Sequence, residues 1–276
     1  MYGIHQTIRL GTLGRGGCGR GNFRFMAEMT AADCVRALTG PVGDLGARWM
    51  LHPETLQAGT DAGYANGFAW YTAGRGGVLG DVDADVVVSS FAYFEPTLVR
   101  KMWDAGTAVE GARAAGRRYA KACADWGQKR LAGVAGMDRL ATLADKVIDE
   151  ASVEGLTLFA GWRAEERPAD AGAHAYFNIH LLRELRGCVH IIATTAQGLS
   201  ALESILADAV GGPARAKNFG WSEPYPDTTT FAARREAAEA DTDRMLVRFY
   251  EVLTPSERSE LVGLIATAKV ALDANK

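Results

Sequence analysis

Residues 173–190 read AHAYFNIHLLRELRGCVH. Apolar residues recur here at helical spacing, which predicts a helix from Ala173 to Leu185 that meets Gly187. The apolar stretch after this glycine predicts a second helix from about Val189 to Val210, which Gly211-Gly212-Pro213 ends. Two adjacent helices at this point of the chain indicate a helical fold.

Helix-start and helix-stop signals recur through the rest of the chain. Thr30-Ala-Ala-Asp33 resembles a capping box that begins a helix, and Gly40-Pro41 is expected to end it. Thr254-Pro255-Ser256-Glu257 combines a cap with a proline in the first turn. The remaining predicted helices begin and end near 42–50, 53–73, 96–103, 108–131, 137–151, 230–252 and 255–273, with irregular backbone over 155–172.

β-structure has only one strong candidate, the short run Val86-Val87-Val88. With roughly nine or ten helices and at most one or two short strands, the pattern predicts an all-α, multi-helix globular fold that closes with a C-terminal helix pair. No sequence repeat of fixed period is present.

Composition restricts the class of protein. The 276 residues carry a formal net charge of −3, and four cysteines lie at widely separated positions. No Cys-x-x-Cys pair or cysteine–histidine cluster occurs, so we expect free buried thiols in a reducing, cytoplasmic compartment and no structural zinc. No apolar run approaches the ~18 residues of a membrane span, and no secretory signal is evident, so no membrane partner is expected.

The N-terminal segment differs from the rest of the chain. Residues 1–25 contain seven glycines and four arginines and no acid. Such a segment favours a disordered tail or a mis-assigned start over residues 1–28, and an Arg/Gly arm that touches nucleic acid is the alternative. We expect residues 29–276 to form a single helical domain with a possible sub-boundary near 213–229. Without the arm the chain is more acidic by four charges, which argues against a nucleic-acid partner.

The densest polar cluster lies on the helix quoted above. His180, Arg183 and Glu184 share one helical face, and His190 continues it if the helix runs past Gly187. Arginine suits a carboxylate or phosphate, and histidine suits proton transfer, so these residues are candidates for a ligand pocket. The alternative is a structural Arg–Glu pair with a hydrogen-bonded core histidine. A metal would need a third ligand, so we predict none.

Three further candidates lie outside this cluster. Arg75 belongs to the glycine-rich stretch 74–80, which would cradle an anion or else end a helix. Tyr93 and Glu95 could be polar tips in an aromatic pocket, with a helix cap as the alternative for Glu95. Trp221 lies in a loop that would form either a packing lid or a ligand lid. No diagnostic nucleophile motif appears, and no cofactor can be named.

Several segments taken together resemble a known family. These are Gly74–Gly80, Val87, Phe91–Val99, Leu182–His190, Gly220–Ser222 and Thr242–Asp243. In this order they resemble an uncharacterised actinobacterial family of Ala-rich proteins of similar length that is labelled helix-turn-helix. The resemblance covers about residues 30 to 270. It implies a helical protein related to MarR-type regulators, whose C-terminal helices form a homodimer; ordinary core packing of those helices is the alternative.

The chain departs from that family pattern in two places. Leu185 and Cys188 replace a histidine and an aspartate, whereas Arg183, Glu184 and His190 match the pattern. After Trp221 the recognition-type helix and the strand-like wing of the family are missing from the sequence. Because a helix-turn-helix reader needs a recognition helix and basic residues at the phosphates, the resemblance does not extend to DNA binding here.

Three hypotheses follow for function. The first is a small-molecule-binding, sensor-like protein, derived from a regulator fold, that lacks a DNA reader and has a pocket lined by Arg75, Tyr93, Arg183 and His190. The second is an enzyme in which His190 or His180 is the acid–base group and Arg183 binds an anionic substrate. The third is a transcriptional regulator, which the acidic composition and the missing wing make the least favoured.

Overall fold

The fold is all-helical. A computed structural model describes residues 28–208 and 210–275, and the N-terminal segment predicted to be a tail lies outside them. The described residues form thirteen α-helices and one 3₁₀ turn, Gly77–Leu79, without a strand. The helices are α1 Ala31–Ala47, α2 Pro53–Asp61, α3 Gly67–Gly76, α4 Ala84–Phe91, α5 Pro96–Glu110, α6 Ala112–Leu131, α7 Met137–Glu150, α8 Thr157–Arg163, α9 Ala171–Ala196, α10 Ala201–Leu206, α11 Gly212–Asn218, α12 Ala232–Tyr250 and α13 Pro255–Ala274.

Helix α9 lies at the centre of the molecule. It packs against α1, α6, α7, α8 and α12. Its side chains are buried on every side over most of its length, as expected for a helix without a solvent face. Tyr176, Phe177, Ile179 and Leu181 are all at most 1 % exposed. The segment that dominates the sequence therefore forms the axis of the core.

Two helices continue through residues that were expected to end them. Helix α1 contains Pro41, and α9 contains Gly187. The prediction that Gly40-Pro41 ends a helix was therefore wrong, as was the boundary at Gly187. In both cases buried side chains flank the interruption, such as Leu38 and Val42 around Pro41. Tertiary packing there outweighs the unfavourable local propensity.

Other local predictions were also wrong. Val86-Val87-Val88 lies in α4 and not in a strand. The predicted helix 108–131 is broken at Gly111, whose φ of 81° ends α5 and begins α6. Part of the stretch expected to be irregular is α8. The helix predicted to reach Val210 ends at Ala196, and the short helix α10 follows.

The C-terminal helix pair is present as predicted. Thr254 begins α13 with a complete capping box, in which its side chain accepts from the Glu257 amide and the Glu257 side chain accepts from its own. Both helices pack against α1 and α7 of the same chain. Leu246 and Phe249 of α12 and Leu261 and Ile265 of α13 are buried there. Dimerisation through these helices stays a prediction.

The described helices include none that is both long and apolar enough to cross a membrane. Cys34, Cys123 and Cys188 are buried free thiols, as predicted, and Cys18 lies outside the described residues. Burial raises the pKa of the Cys34 and Cys188 thiols to about 11, so both are protonated at neutral pH.

Candidate functional site

Helix α9 carries a polar network inside the core. Glu184 is fully buried and accepts two hydrogen bonds from Arg75 of α3, at 3.0 Å from Nε and 2.8 Å from Nη2. Arg183 donates to the same carboxylate from Nη1, at 2.7 Å. Arg75 also donates to the hydroxyl of Tyr71 at 3.1 Å. One carboxylate thus binds two guanidinium groups, and its two parallel hydrogen bonds with Arg75 have the bidentate geometry of a strong ion pair.

His180 lies behind this carboxylate in the core. Its Nδ1 is 3.1 Å from the carbonyl oxygen of Gly46, and its ring makes edge contacts with Trp49 and Trp162. Its Nε2 is 3.8 Å from Glu184 and has no hydrogen-bond partner. Burial lowers the pKa of His180 to about 4, whereas Arg75 and Arg183 hold the pKa of Glu184 at about 2 despite burial. At neutral pH the imidazole is therefore neutral and the carboxylate is charged.

The glycine-rich stretch places Arg75 by helix packing. A Cβ at Gly74 would lie 2.5 Å from the ring of Tyr119, and one at Gly77 would lie 2.2 Å from the carbonyl oxygen of Ala112. The glycines therefore bring α3 and the 3₁₀ turn close to α6. The backbone there is helical as far as Leu79, and the Arg75 carbonyl accepts from the indole of Trp162 at 3.2 Å. The structure thus matches the helix-end alternative more closely than a phosphate loop.

A pocket of about 500 Å³ opens beside Arg75 and Arg183. Its wall is mostly apolar, and Arg75 lies over the ring of Phe91 with its guanidinium carbon 4.7 Å from the ring centroid. Its lining also includes the polar side chains of Ser90, Arg48, His52 and Asn218. We call this space the aromatic pocket; its apolar side chains include Phe68, Tyr71, Phe91, Phe94, Leu158, Ile191 and Phe219.

A second pocket of about 440 Å³ lies on the other side of Arg183. Four arginines and two carboxylates line it, together with His190. We call it the arginine pocket; its charged residues are Arg183, Arg186, Arg215, Arg235, Asp208 and Glu239.

The two pockets share part of their walls. Tyr93, Arg183, Gly187 and Phe219 line both of them. A Cβ built on Gly187 would meet no atom within 4 Å, so this glycine leaves open space at the junction. The two pockets therefore adjoin along the side of α9, and we call the pair the cleft, with an apolar half and a charged half.

His190 is held in a defined tautomer at the wall of the arginine pocket. The Thr242 hydroxyl donates to the carbonyl of Ala238 at 2.6 Å, so it must accept from Nδ1 of His190, 2.8 Å away. Nε2 then carries the lone pair and accepts from Arg235 Nη1 at 2.7 Å. Burial and the charge of Arg235 lower the pKa of His190, so its imidazole is neutral. The contact of 3.9 Å between Nε2 and Glu239 is correspondingly not an ion pair.

The carboxylates of the arginine pocket are already shared among its arginines. Glu239 accepts a hydrogen bond from Arg186 and forms an ion pair with Arg235, each at 2.5 Å. Asp208 pairs with Arg215. Arg183 bonds to Glu184, which also neutralises Arg75. Positive charge is therefore in excess on the surface of this pocket.

Residues 200–208 and 210–225, here called the flap, cover the cleft. The flap contains α10, α11 and the loop that follows, and Ile205, Leu206 and Ala216 form a small apolar cluster of their own. The indole of Trp221 donates to the carbonyl of Tyr93 at 2.8 Å. Phe219 stacks on Phe94 with ring centroids 4.2 Å apart. The flap is thus fastened at the junction of the two pockets.

The candidate residues from the sequence divide into three groups. Arg75, Tyr93, Arg183 and His190 line the cleft. His180 and Glu184 lie behind its wall, in the core. Glu95 and Trp221 lie outside the lining: Glu95 caps α5 by accepting from the amides of Thr97 and Leu98, and Trp221 fastens the flap.

Sequence reasoning missed several residues of the cleft. Arg215 and Arg235 lie far along the chain from α9, and no local motif marks them. Phe219 was not distinguished from ordinary core aromatics. The one available signal was Arg186-Gly187 on the helical face that already carried Arg183 and His190, which indicated an open and positively charged surface.

Comparison with known proteins identifies a family for this chain, but no individual relative. A family model described as a helix-turn-helix family matches residues 35–276. The chain belongs to this helix-turn-helix family. No curated protein and no solved structure matches the chain.

The family description can be compared with the helices near the flap. Helices α10 and α11 pack against each other and are joined by a short connection. Helix α11 has seven residues and two basic side chains, Arg215 and Lys217. Arg215 is paired with Asp208 and lines the arginine pocket. A β-wing is absent from the described residues, because they contain no strand.

Proposed function

We propose that this helix-turn-helix family member is a small-molecule-binding, sensor-like protein, derived from a MarR-type regulator, whose DNA reader has been lost. The observation that carries the proposal is the pair of adjoining pockets along α9, whose walls share Arg183 and Gly187. Its two halves, of about 500 and 440 Å³, each fall in the size range of ligand pockets. Mostly apolar walls with a few fixed polar groups are typical of such sites.

The interior of the cleft supports a ligand more strongly than the surface supports DNA. A recognition helix needs side chains free to reach base edges and phosphates. The basic residue Arg215 of α11 faces the cleft, and Lys217 alone of its basic residues is turned to solvent. Outside residues 1–25 the formal net charge is more negative by four than the −3 of the whole chain, which opposes binding to a polyanion.

An acid–base enzyme is the alternative reading of the same cleft. His190 is a neutral imidazole at its wall, and a neutral imidazole can accept a proton. Its Nε2 lone pair is occupied by Arg235, however, so a substrate would first have to displace that guanidinium. His180 is enclosed by Trp49 and Trp162 and does not line the cleft. Binding without chemistry therefore needs fewer rearrangements.

The proposal is tested with a neutral fluorescent probe of apolar pockets, N-phenyl-1-naphthylamine. We expect saturable binding to the wild-type protein, because the aromatic pocket excludes water from an apolar ring system. Gly187→Phe fills the junction of the pockets and is expected to abolish the signal. Gly263→Phe is the matched control, because Gly263 is an exposed helical glycine with no atom within 4 Å of its Cβ position, on α13.

Two results contradict the proposal. One is equal probe fluorescence from the Gly187→Phe and Gly263→Phe variants, which places the bound probe elsewhere. The other is tight, sequence-specific DNA binding in a gel shift at low salt, which restores the regulator hypothesis. Circular dichroism of both variants shows whether loss of the signal reflects loss of the fold.

A further inference from the structure

We infer that the ligand of the cleft is an amphipathic anion, with its charged headgroup in the arginine pocket and its apolar body in the aromatic pocket. This inference rests on the proposed function and adds the chemical class and the orientation of the ligand. The headgroup chemistry is that of a carboxylate, phosphate or sulfonate, which guanidinium groups bind with paired hydrogen bonds.

The charge of the arginine pocket determines the headgroup. Four guanidinium groups line it against two carboxylates, and His190 adds no charge because its imidazole is neutral. Glu239 is already shared by Arg186 and Arg235, so neither arginine has a carboxylate to itself. A bound anion would supply the negative charge that these guanidinium groups lack within the protein. A cation would instead meet an excess of like charge.

The aromatic pocket determines the body of the ligand. The Phe68, Phe91 and Phe94 rings supply apolar surface. The arginines that line this half are already paired with carboxylates, Arg75 and Arg183 with Glu184 and Arg48 with Asp44. This half therefore offers no free charge to a second polar headgroup. An alkyl chain or a ring system is stabilised there by loss of its contact with water.

The junction determines the direction in which the ligand lies. Arg183 and Gly187 line both halves, and no atom lies within 4 Å of the Cβ position of Gly187. A molecule with its anionic end at Arg183 or Arg215 can extend past Gly187 into the aromatic pocket without meeting a side chain at that position. A small inorganic anion would use only one half, as would a neutral hydrocarbon.

The test uses isothermal titration of the full chain with matched probes. Decanoate and decyl phosphate carry the same chain on two headgroups, decan-1-ol removes the charge, and propionate removes the apolar body. We expect decanoate or decyl phosphate to bind at least about tenfold more tightly than decan-1-ol, since hydrogen bonds to charged groups are worth about 1.5–3 kcal/mol. Propionate is expected not to bind measurably. The stronger of the two anions identifies the headgroup.

Two matched variants place the anion. Arg215→Gln removes one guanidinium from the pocket and is expected to weaken the preferred anion about ten- to hundredfold. Lys217→Gln removes the same charge from the same helix at an exposed position outside the pocket, and is expected to leave affinity unchanged. Arg215 is partly exposed, and its ion-pair partner among the described residues is Asp208, so the fold should survive its loss.

The outcomes separate this inference from the proposed function. If decan-1-ol and decanoate bind equally and Gly187→Phe abolishes both, the cleft is a ligand site but the anionic class is overturned. Equal affinities for the Arg215→Gln and Lys217→Gln variants overturn the placement of the headgroup. If neither anion binds while N-phenyl-1-naphthylamine does, the anionic class is again overturned. If no probe binds, both proposals fail.

Discussion

Helix α9 carries two polar networks built from the same residue types, and they differ in what surrounds them. In the inner network, His180 and Glu184 are 0 % exposed and His180 is enclosed by Trp49 and Trp162, whereas Arg75 reaches the wall of the aromatic pocket. In the outer network, His190, Arg235 and Glu239 line a pocket, and the Glu239 side chain is 40 % exposed. A histidine–arginine–glutamate cluster therefore does not identify a ligand site by itself; the open space beside the outer network does.

The strongest test of this comparison removes one carboxylate from each network. Glu184→Gln leaves Arg75 buried without its counter-charge, so we expect the free energy of unfolding to fall by about 3–5 kcal/mol. Glu239→Gln acts on a partly exposed carboxylate, where the loss is expected to be about 1 kcal/mol or less. Urea denaturation of the two variants measures both values. Equal losses would break the distinction between the networks.

The inner network also predicts how stability depends on pH. The folded-state pKa of His180 is about 4, below the value of about 6.5 for an unfolded histidine. As the pH falls, the unfolded chain therefore binds this proton at a higher pH than the folded protein does. The free energy of unfolding is expected to fall by up to about 3 kcal/mol between pH 6.5 and pH 4. Glu184 has a folded-state pKa of about 2, below its usual value, so protonation of the unfolded chain lowers the free energy of unfolding further below pH 4.5.

His180→Gln checks that assignment, because glutamine keeps polar atoms at the site and does not titrate. We expect the free energy of unfolding of this variant to change less between pH 6.5 and 4.5 than that of the wild type, as followed by denaturant titration at each pH. An identical pH profile in the two proteins would show that other groups cause the acid sensitivity.

Two glycines, Gly46 and Gly187, allow the packed side and the open side of α9 to be compared by substitution. A Cβ at Gly46 of α1 would lie 2.8 Å from the Arg183 Cβ and 3.0 Å from the Ile179 carbonyl oxygen. Gly46→Ala is therefore expected to cost about 1–3 kcal/mol. Gly187→Ala meets no atom within 4 Å and is expected to stabilise the helix by up to about 1 kcal/mol. Thermal melts of both variants should show shifts of opposite sign; a destabilised Gly187→Ala protein would contradict the open junction.

The flap provides a smaller test of the open side. Trp221→Phe removes the hydrogen bond to the Tyr93 carbonyl while keeping an aromatic ring. We expect about 1 kcal/mol less free energy for local opening of α10 and α11, since one hydrogen bond contributes about that much. Amide hydrogen exchange of these helices, with α9 as the internal reference, measures the change. Unaltered exchange in α11 would show that Trp221 does not fasten the flap.

The sequence predicted the helical class and the C-terminal pair because those depend on local caps and periodicity. It failed where packing overrides local propensity, as at Pro41 and at Val86–Val88 in α4. For the site, four of the predicted residues line the cleft because they share or face one side of α9. Arg215 and Arg235 could not be predicted, because only tertiary structure brings them to that helix.

The most direct test of the account is native mass spectrometry of the protein purified from cells without denaturation. We expect the wild-type protein and Gly263→Phe to retain a small molecule and Gly187→Phe not to, and we expect the released molecule to be anionic with an apolar body. Retention of the same molecule by Gly187→Phe would contradict the assignment of the cleft as the ligand site.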